Sequence, residues 1–390
     1  MSYGRILSRK NSAKVLSVAA LSLMLVQSSC GVTDSADWSF VGGNPTIPGG
    51  GNQQNPIPSD PSNPSTKRRR ALVIGLDGTT GNQFYDATYL KNKARNLLEL
   101  MLSGKYAACT QDTDPRCAKT HQGPRYQSGY QWKTGPGWAS VLTGAQNFHH
   151  LIKNNSHHDL KIFSTSSLSY PTFLKRAKDH GLKTAAGGVA TFVTARKGKS
   201  VEPGVLDYEC GSGSHGPTVG VDDLQSCNLD ARLSLNGEDQ ARDSKLSKWM
   251  EAKIQDSSSD IVMGVFDQID STGHAHGFDS NHAYISAIAN ADILVGNLIN
   301  AVKVAISQRG EEWLVIVTSD HGGHRILFWG DHGDVVDEDE VIPFIVTTFG
   351  SERPLSDLIY PVTHMDVHPT LMHWFGIDAT QTDGLVQGIR

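Results

Sequence analysis

Several acidic and imidazole side chains fall just beyond apolar runs of the chain, where they can converge on one ligand. Asp77 follows Ala71–Leu76, Asp267 and Asp270 follow Ile261–Phe266 with His274 close behind, and Asp320 and His321 follow Trp313–Thr318. Carboxylates and imidazoles without cysteine are the donor set of zinc or a similar first-row divalent ion, with manganese and iron compatible. Singly, each segment reads as loop chemistry: Asp77-Gly78 as a turn, Asp270–His274 as a polar loop, Asp320–Gly323 as a tight turn. Their joint occurrence, each after a strand, points instead to a metal site, because open α/β sheets place ligands beyond the carboxyl ends of their strands.

The elements that must hold these residues alternate along the chain. Ala71–Leu76, Ile261–Phe266, Trp313–Thr318 and Ile342–Thr348 are continuous apolar runs, as expected of strands buried in a parallel sheet. Leu90–Met101 has helical spacing and stops at Gly104, and Pro171 opens a second helix that Gly181 closes. Ile285, Ile288, Val295, Ile299, Val302 and Ile306 mark one face of a long helix. This alternation predicts a three-layer αβα sandwich with a largely parallel central sheet, formed by a domain spanning residues 71–390.

Residues 1–30 read as an export signal, with Arg5, Arg9, Lys10 and Lys14 ahead of the apolar run Val15–Val26, which is too short to span a bilayer. The run ends at Ser28-Ser29-Cys30-Gly31, which resembles a bacterial lipobox, so a lipid anchor at Cys30 and a periplasmic or cell-surface location are expected. The alternative is an ordinary cleaved signal that leaves a soluble protein. Residues 31–70 form a linker rich in Gly, Pro, Asn and Ser, a tether with a span of about 25 to 30 Å. The basic run Lys67–Arg70 at its end reads as a solvated boundary or a contact for anionic headgroups. A formal net charge of -5 argues against a nucleic-acid platform. Besides Cys30, pairing Cys109 with Cys117 and Cys210 with Cys227 is one of the connectivities the remaining cysteines allow.

Five stretches together resemble the alkaline phosphatase superfamily, in particular its type I phosphodiesterase and nucleotide pyrophosphatase branch. They are VIGLDG at Val73–Gly78, KTGPGWASVLTG at Lys133–Gly144, DSTGHAHG at Asp270–Gly277, TSDHGG at Thr318–Gly323 and GDHG at Gly330–Gly333. The resemblance implies a hydrolase of small-molecule phosphate esters with two divalent metal ions, expected to be zinc. One ion is implied to bind Asp77, Asp320, His321 and the nucleophile Thr134, the other Asp270, His274 and His332. His324 is the nearby alternative to His332, which is preferred for its place in a His-Gly pair ahead of Ile342-Pro343-Phe344. His149, His157, His158, His276, His282, His364, His368 and His373 are expected at the surface or behind the ligands, and Asp267 is a candidate to orient one.

Thr134 begins a stretch that Pro136 and Gly144 mark as a short helix, so its hydroxyl and an incoming phosphate share a helix N-terminus. Without the metal residues it would read as an ordinary capping threonine. The resemblance implies attack by Thr134 on phosphorus, a phosphothreonine intermediate, and Asn155 donating to a phosphoryl oxygen. Nucleotide-cleaving members commonly carry an aromatic residue after the nucleophile, where this chain has Gly135; Trp138 or Phe192 is the candidate for another apolar wall. Lys133, Arg196, Lys197 and Lys199 are candidates to contact a dianionic phosphate. The rival readings are a phosphonate- or sulfate-ester hydrolase on the same fold and a non-catalytic surface lipoprotein. Thr134-Gly135-Pro136-Gly137 lacks the Cys-x-Pro-x-Arg setting of sulfatases.

Overall fold

Alternation along the strand Arg69–Leu76 builds both halves of the core, because successive side chains of a strand leave on opposite faces. Leu72, Ile74 and Leu76 join one apolar cluster, and Ala71 and Val73 join another behind the sheet. The computed structural model describes residues 67–390 apart from 110–114, 121–131, 190–193, 198–199, 211–225, 237–238 and 334–335. The expected signal segment, Cys30 and the linker up to Ser65 lie outside the described residues, as do Phe192, Lys199 and the side chains of Arg196 and Lys197.

Seven strands form the central sheet, in the order Lys105–Ala107, Phe344–Phe349, Glu312–Thr318, Arg69–Leu76, Ile261–Phe266, Thr184–Val189 and Ala231–Leu235. The last five are parallel, while Phe344–Phe349 and Lys105–Ala107 pair antiparallel at one edge. Helices cover both faces. Arg95–Ser103, Arg242–Gln255 and His282–Arg309 pack on the first cluster, and Thr134–Thr143, Phe173–Asp179 and Val367–Phe375 on the second. The largely parallel three-layer sandwich is therefore the observed architecture. Cys109–Cys117 and Cys210–Cys227 are both disulfides.

Local chemistry shifted several boundaries. The helix expected from Leu90 begins at Arg95, because Asn92 has a φ of 49° and interrupts the spiral. Pro171 lies just outside its helix, and the Thr172 hydroxyl caps it by accepting from Lys175 N–H at 3.1 Å. The run from Ile342 is divided at Pro343, which offers no N–H to a ladder: Val341–Ile342 pairs with Ala118–Lys119, and Phe344 starts the sheet strand.

Of the expected solvated basic boundary, Lys67 is exposed and Arg68 and Arg69 are half-buried, but Arg70 is instead part of the interior. Arg70 is 0% exposed and donates to the carbonyls of Ser259 and Ile254, each at 2.7 Å, and of Lys253 at 2.9 Å. Its guanidinium also meets Glu311 at 3.3 Å and lies 4.2 Å from the Trp313 ring centroid. Arg68 bonds Asp260 at 2.6 Å and Arg69 reaches the Trp374 carbonyl at 3.0 Å, so the residues that end the linker lock the start of the first strand. Arg70→Met keeps the apolar stem but removes the donor to the Ser259 and Lys253 carbonyls, while Arg309 still serves Ile254 and Glu311. It is expected to lower the unfolding free energy by about 1–3 kcal/mol, read as a lower urea midpoint at unchanged slope.

Candidate active site

Three neighbouring strands bring the polar residues together. Asp77 leaves the central strand Arg69–Leu76, Asp267 and Asp270 follow its neighbour Ile261–Phe266, and Asp320 and His321 follow the strand on its other side. The helix Gln268–His276 carries Asp270 and His274 one turn apart, and the hairpin His324–Ile326 with Trp329–Asp331 delivers His332. The helix Thr134–Thr143 starts at Thr134, with Pro136 in its first turn and Gly144 closing it at a φ of 66°. Thr134 Oγ1 lies 3.4 Å from His321 Nε2.

Two donor groups result, Asp77 with Asp320 and His321, and Asp270 with His274 and His332; within each the donor atoms lie within 4.8 Å of one another. His321 Nε2 is 3.3 Å from Asp320 Oδ2 and 3.5 Å from Asp77 Oδ1. His274 Nε2 is 3.4 Å from Asp270 Oδ2 and 3.2 Å from His332 Nε2. All three imidazoles are turned the same way. Nδ1 of His321 meets the Gly322 carbonyl at 2.7 Å, that of His274 the Gly330 carbonyl at 3.0 Å, and that of His332 the Trp132 carbonyl at 2.9 Å. A carbonyl accepts only, so each Nδ1 carries the proton and each Nε2 lone pair faces into its group.

The electrostatics of both groups suit a cation. Burial, and then the neighbouring Asp320, Asp270 and Asp267, hold the Asp77 carboxyl well above the usual carboxylate range. Burial lifts Asp320 in the same direction and raises Asp270 to about 7. Burial likewise pushes His321 well below the usual imidazole range, with His332 adding to it, and takes His332 to about 4. One oxygen on each carboxylate, Asp77 Oδ1, Asp270 Oδ1 and Asp320 Oδ2, is buried without a hydrogen-bond partner among the described residues. Unpaired carboxylate oxygens beside inward lone pairs are costly for the chain alone and are what a divalent cation neutralises. The residues present therefore fit such ions.

The supporting contacts correct several expectations. Trp138 is no wall for substrate: it is 0% exposed, and its indole Nε1 donates to Asp77 Oδ2 at 2.9 Å. Asp267 turns away from the donor groups to Arg242, at 2.6 Å from Nε, while Asp243 accepts from the N–H groups of Asp267 and Gln268, each at 3.0 Å. Arg242 and Asp243 thus fasten the first turn of the helix that carries Asp270 and His274, which no local pattern announced. His324 is absent from both donor groups, with Nδ1 2.8 Å from Asp339. Asn155 Oδ1 accepts from Gly135 N–H at 2.7 Å. A Cβ at Gly135 would lie 2.9 Å from Leu160 Cδ2 and 3.1 Å from Asn155 Oδ1, so the aromatic residue of nucleotide-cleaving relatives has no room without moving Asn155. His364 and His368 are buried behind the site, and His149 pairs with Asp383 at 2.6 Å.

The sequence model of the type I phosphodiesterase / nucleotide pyrophosphatase family matches residues 71–343, spanning every residue of both donor groups and Thr134. The chain belongs to that family. It is accordingly a hydrolase of phosphoric ester bonds in the alkaline phosphatase superfamily. No curated protein matches it by sequence. Among solved structures, the inactive murine ectonucleotide pyrophosphatase / phosphodiesterase 5 in complex with AMP aligns at 15% identity and a TM-score of 0.51, covering 81% of this chain and 97% of its own. A 2-O GAG sulfatase aligns at 14% identity and 0.53, covering 82% and 73%. The lipoteichoic acid synthase of Listeria monocytogenes aligns at 13% and 0.51, covering 82% and 75%. At these identities the solved structures share the fold.

Trp138→Phe keeps an aromatic ring in the core and removes the only donor that indole offers Asp77. In this family member, titration of metal-free protein with zinc is expected to show affinity at the Asp77 group about 10–100-fold weaker, with the Asp270 group unchanged.

Proposed function

We propose that the protein hydrolyses small phosphate esters through a phosphothreonine intermediate on Thr134, with one divalent ion at Asp77, Asp320 and His321 and a second at Asp270, His274 and His332. The reading rests on one observation above all: the Thr134 hydroxyl lies 3.4 Å from His321 Nε2, at the edge of buried carboxylates that each keep one oxygen without a hydrogen-bond partner among the described residues. Carboxylate and imidazole donors without thiolate favour zinc, with manganese or iron as alternatives. Two such ions supply charge stabilisation for the attacking and leaving oxygens of an in-line displacement at phosphorus.

The chain's own residues do the rest. Thr134 Oγ forms the bond to phosphorus as the bond to the leaving alcohol breaks, and water then cleaves the phosphothreonine to restore the hydroxyl and release phosphate or a monoester. Thr134 begins its helix, whose dipole favours an anionic phosphoryl group there, while the N–H groups of Gly135 and Gly137 serve Asn155 and Lys133. Asn155, its carbonyl oxygen committed to Gly135 N–H, has its amide nitrogen left to donate to a non-bridging oxygen. Gly135 leaves no aromatic platform beside the nucleophile, which favours esters other than nucleotides. A threonine in place of a sulfatase's Cys or Ser favours phosphorus over sulfur as the centre attacked.

The same reading includes export and a lipid anchor at Cys30, supported by the apolar run Val15–Val26 and by two disulfides suited to an oxidising compartment. Cys30→Ser is expected to release the protein from membranes on fractionation; a variant that stays with the membrane would end the anchor proposal.

Thr134→Ala is expected to lower turnover of a chromogenic phosphodiester by at least about 10³-fold while metal content stays near two ions per chain, since three protein donors remain in each group. Thr134→Ser should keep measurable activity because it retains the oxygen. Acid quenching during turnover should leave phosphate on the peptide containing Thr134. An alanine variant turning over at close to the wild-type rate would remove the threonine from the mechanism.

A further inference from the structure

Each donor group contains a histidine followed at once by glycine, His321-Gly322 and His332-Gly333, and one residue outside both groups holds the two glycines. The Asp339 carbonyl accepts from Gly322 N–H at 2.8 Å. Its carboxylate Oδ2 accepts from Gly333 N–H at 2.9 Å, and Oδ1 lies 2.8 Å from His324 Nδ1. Asp339 is 0% exposed. The carbonyl of the preceding residue, Glu338, accepts from Gly323 N–H at 3.1 Å, and a Cβ at Gly322 would lie 2.0 Å from that oxygen. Glycine is therefore required at Gly322 by the turn Asp337–Glu340 pressing against it.

What the turn holds is a contact between the two donor groups. The His321 and His332 rings stack at 3.7 Å between centroids with an interplanar angle of 18°, yet their Nε2 atoms serve different groups. The Gly322 end is gripped through the Asp339 backbone and the Gly333 end through its side chain. A shift of the carboxylate therefore moves His332 relative to His321.

We infer that Asp339 is a positioning residue that sets the spacing between the two donor groups, by fastening the residues after His321 and His332 to one turn through its own buried carboxylate and carbonyl. The inference rests on the two-ion reading of the site given above. Asp339 touches neither donor group's ligating atoms nor the Thr134 hydroxyl, and its effect runs through the backbone on which the two imidazoles ride. A carboxylate accepts on both oxygens, so it can serve Gly333 N–H and the His324 ring N–H together; an amide has one acceptor and can serve both only when His324 gives up its Nδ1 proton for the other tautomer.

The test is a calorimetric titration of metal-free full-length protein with zinc, for wild type, Asp339→Asn and Asp339→Leu, with the melting temperature of each metal-free form followed separately. Wild type is expected to bind two ions. Asp339→Asn is expected to bind the ion of the Asp270 group about tenfold more weakly and Asp339→Leu up to about a hundredfold, with the Asp77 group unchanged in both. That selectivity separates positioning from a general loss of fold, which would weaken both groups alike and lower the metal-free melting temperature. Should Asp339→Leu fail to fold, Asp339→Asn decides. Two ions bound by the Asn variant with wild-type affinities, or both sites weakened equally, would overturn the inference while leaving the two-ion reading intact. Fewer than two ions on the wild type would instead overturn that reading and the inference with it.

Discussion

Asp77, Asp270 and Asp320 are gathered and buried beyond the ends of three adjacent strands, where Asp320 and Asp270 raise the proton affinity of Asp77 and Asp270 raises that of Asp320. Their repulsion is the constraint around which the rest of the site is arranged. Desolvation alone would favour neutral acids, and every additional buried carboxylate increases the cost of ionisation. The fold tolerates the arrangement because the strands that carry these residues are buried on both faces by the two apolar clusters. The strain is thus placed where a rigid sheet resists relaxation, and a divalent cation relieves it most directly.

The imidazoles answer the same constraint from the other side. Each is turned by a backbone carbonyl on Nδ1 so that Nε2 faces the carboxylates, and burial keeps His321 and His332 neutral. Neutral imidazoles do nothing to offset the carboxylates' charge, which is a poor design for a chain that must satisfy itself and a good one for binding a cation. Trp138 shows the same logic at closer range. Its indole satisfies one oxygen of Asp77 and leaves the other inward.

Around this centre, packing sets what can approach. The helix Thr134–Thr143 is buried along all its length beyond Thr134, so the threonine is the point where it meets solvent. Asn155 is drawn against Gly135, at the expense of any bulky side chain at that position. The family's common aromatic platform and this tight approach compete for one volume, and here the approach occupies it.

Much of this was legible in the sequence because it depends on local order. Continuous apolar runs marked the strands that carry Asp77, Asp270 and Asp320, and helical spacing marked His282–Arg309. Thr134, Pro136 and Gly144 marked a helix at its observed bounds, because caps act within a turn of their own position. The strands Thr184–Val189 and Ala231–Leu235 were not read, since the first is built largely of Ala and Gly that make room for Leu246 and Trp249 from a distant helix. Arg70 looked solvated because its partners, at Lys253 to Glu311, lie far along the chain. The orientation of the imidazoles was equally hidden: His332 is fixed by a carbonyl 200 residues away, and a carbonyl is the same atom in every residue. Sequence determined which donors exist and that they follow strands. Only the tertiary structure decided which oxygen, nitrogen and glycine face one another, because those choices are made by backbone groups that side-chain identity does not encode.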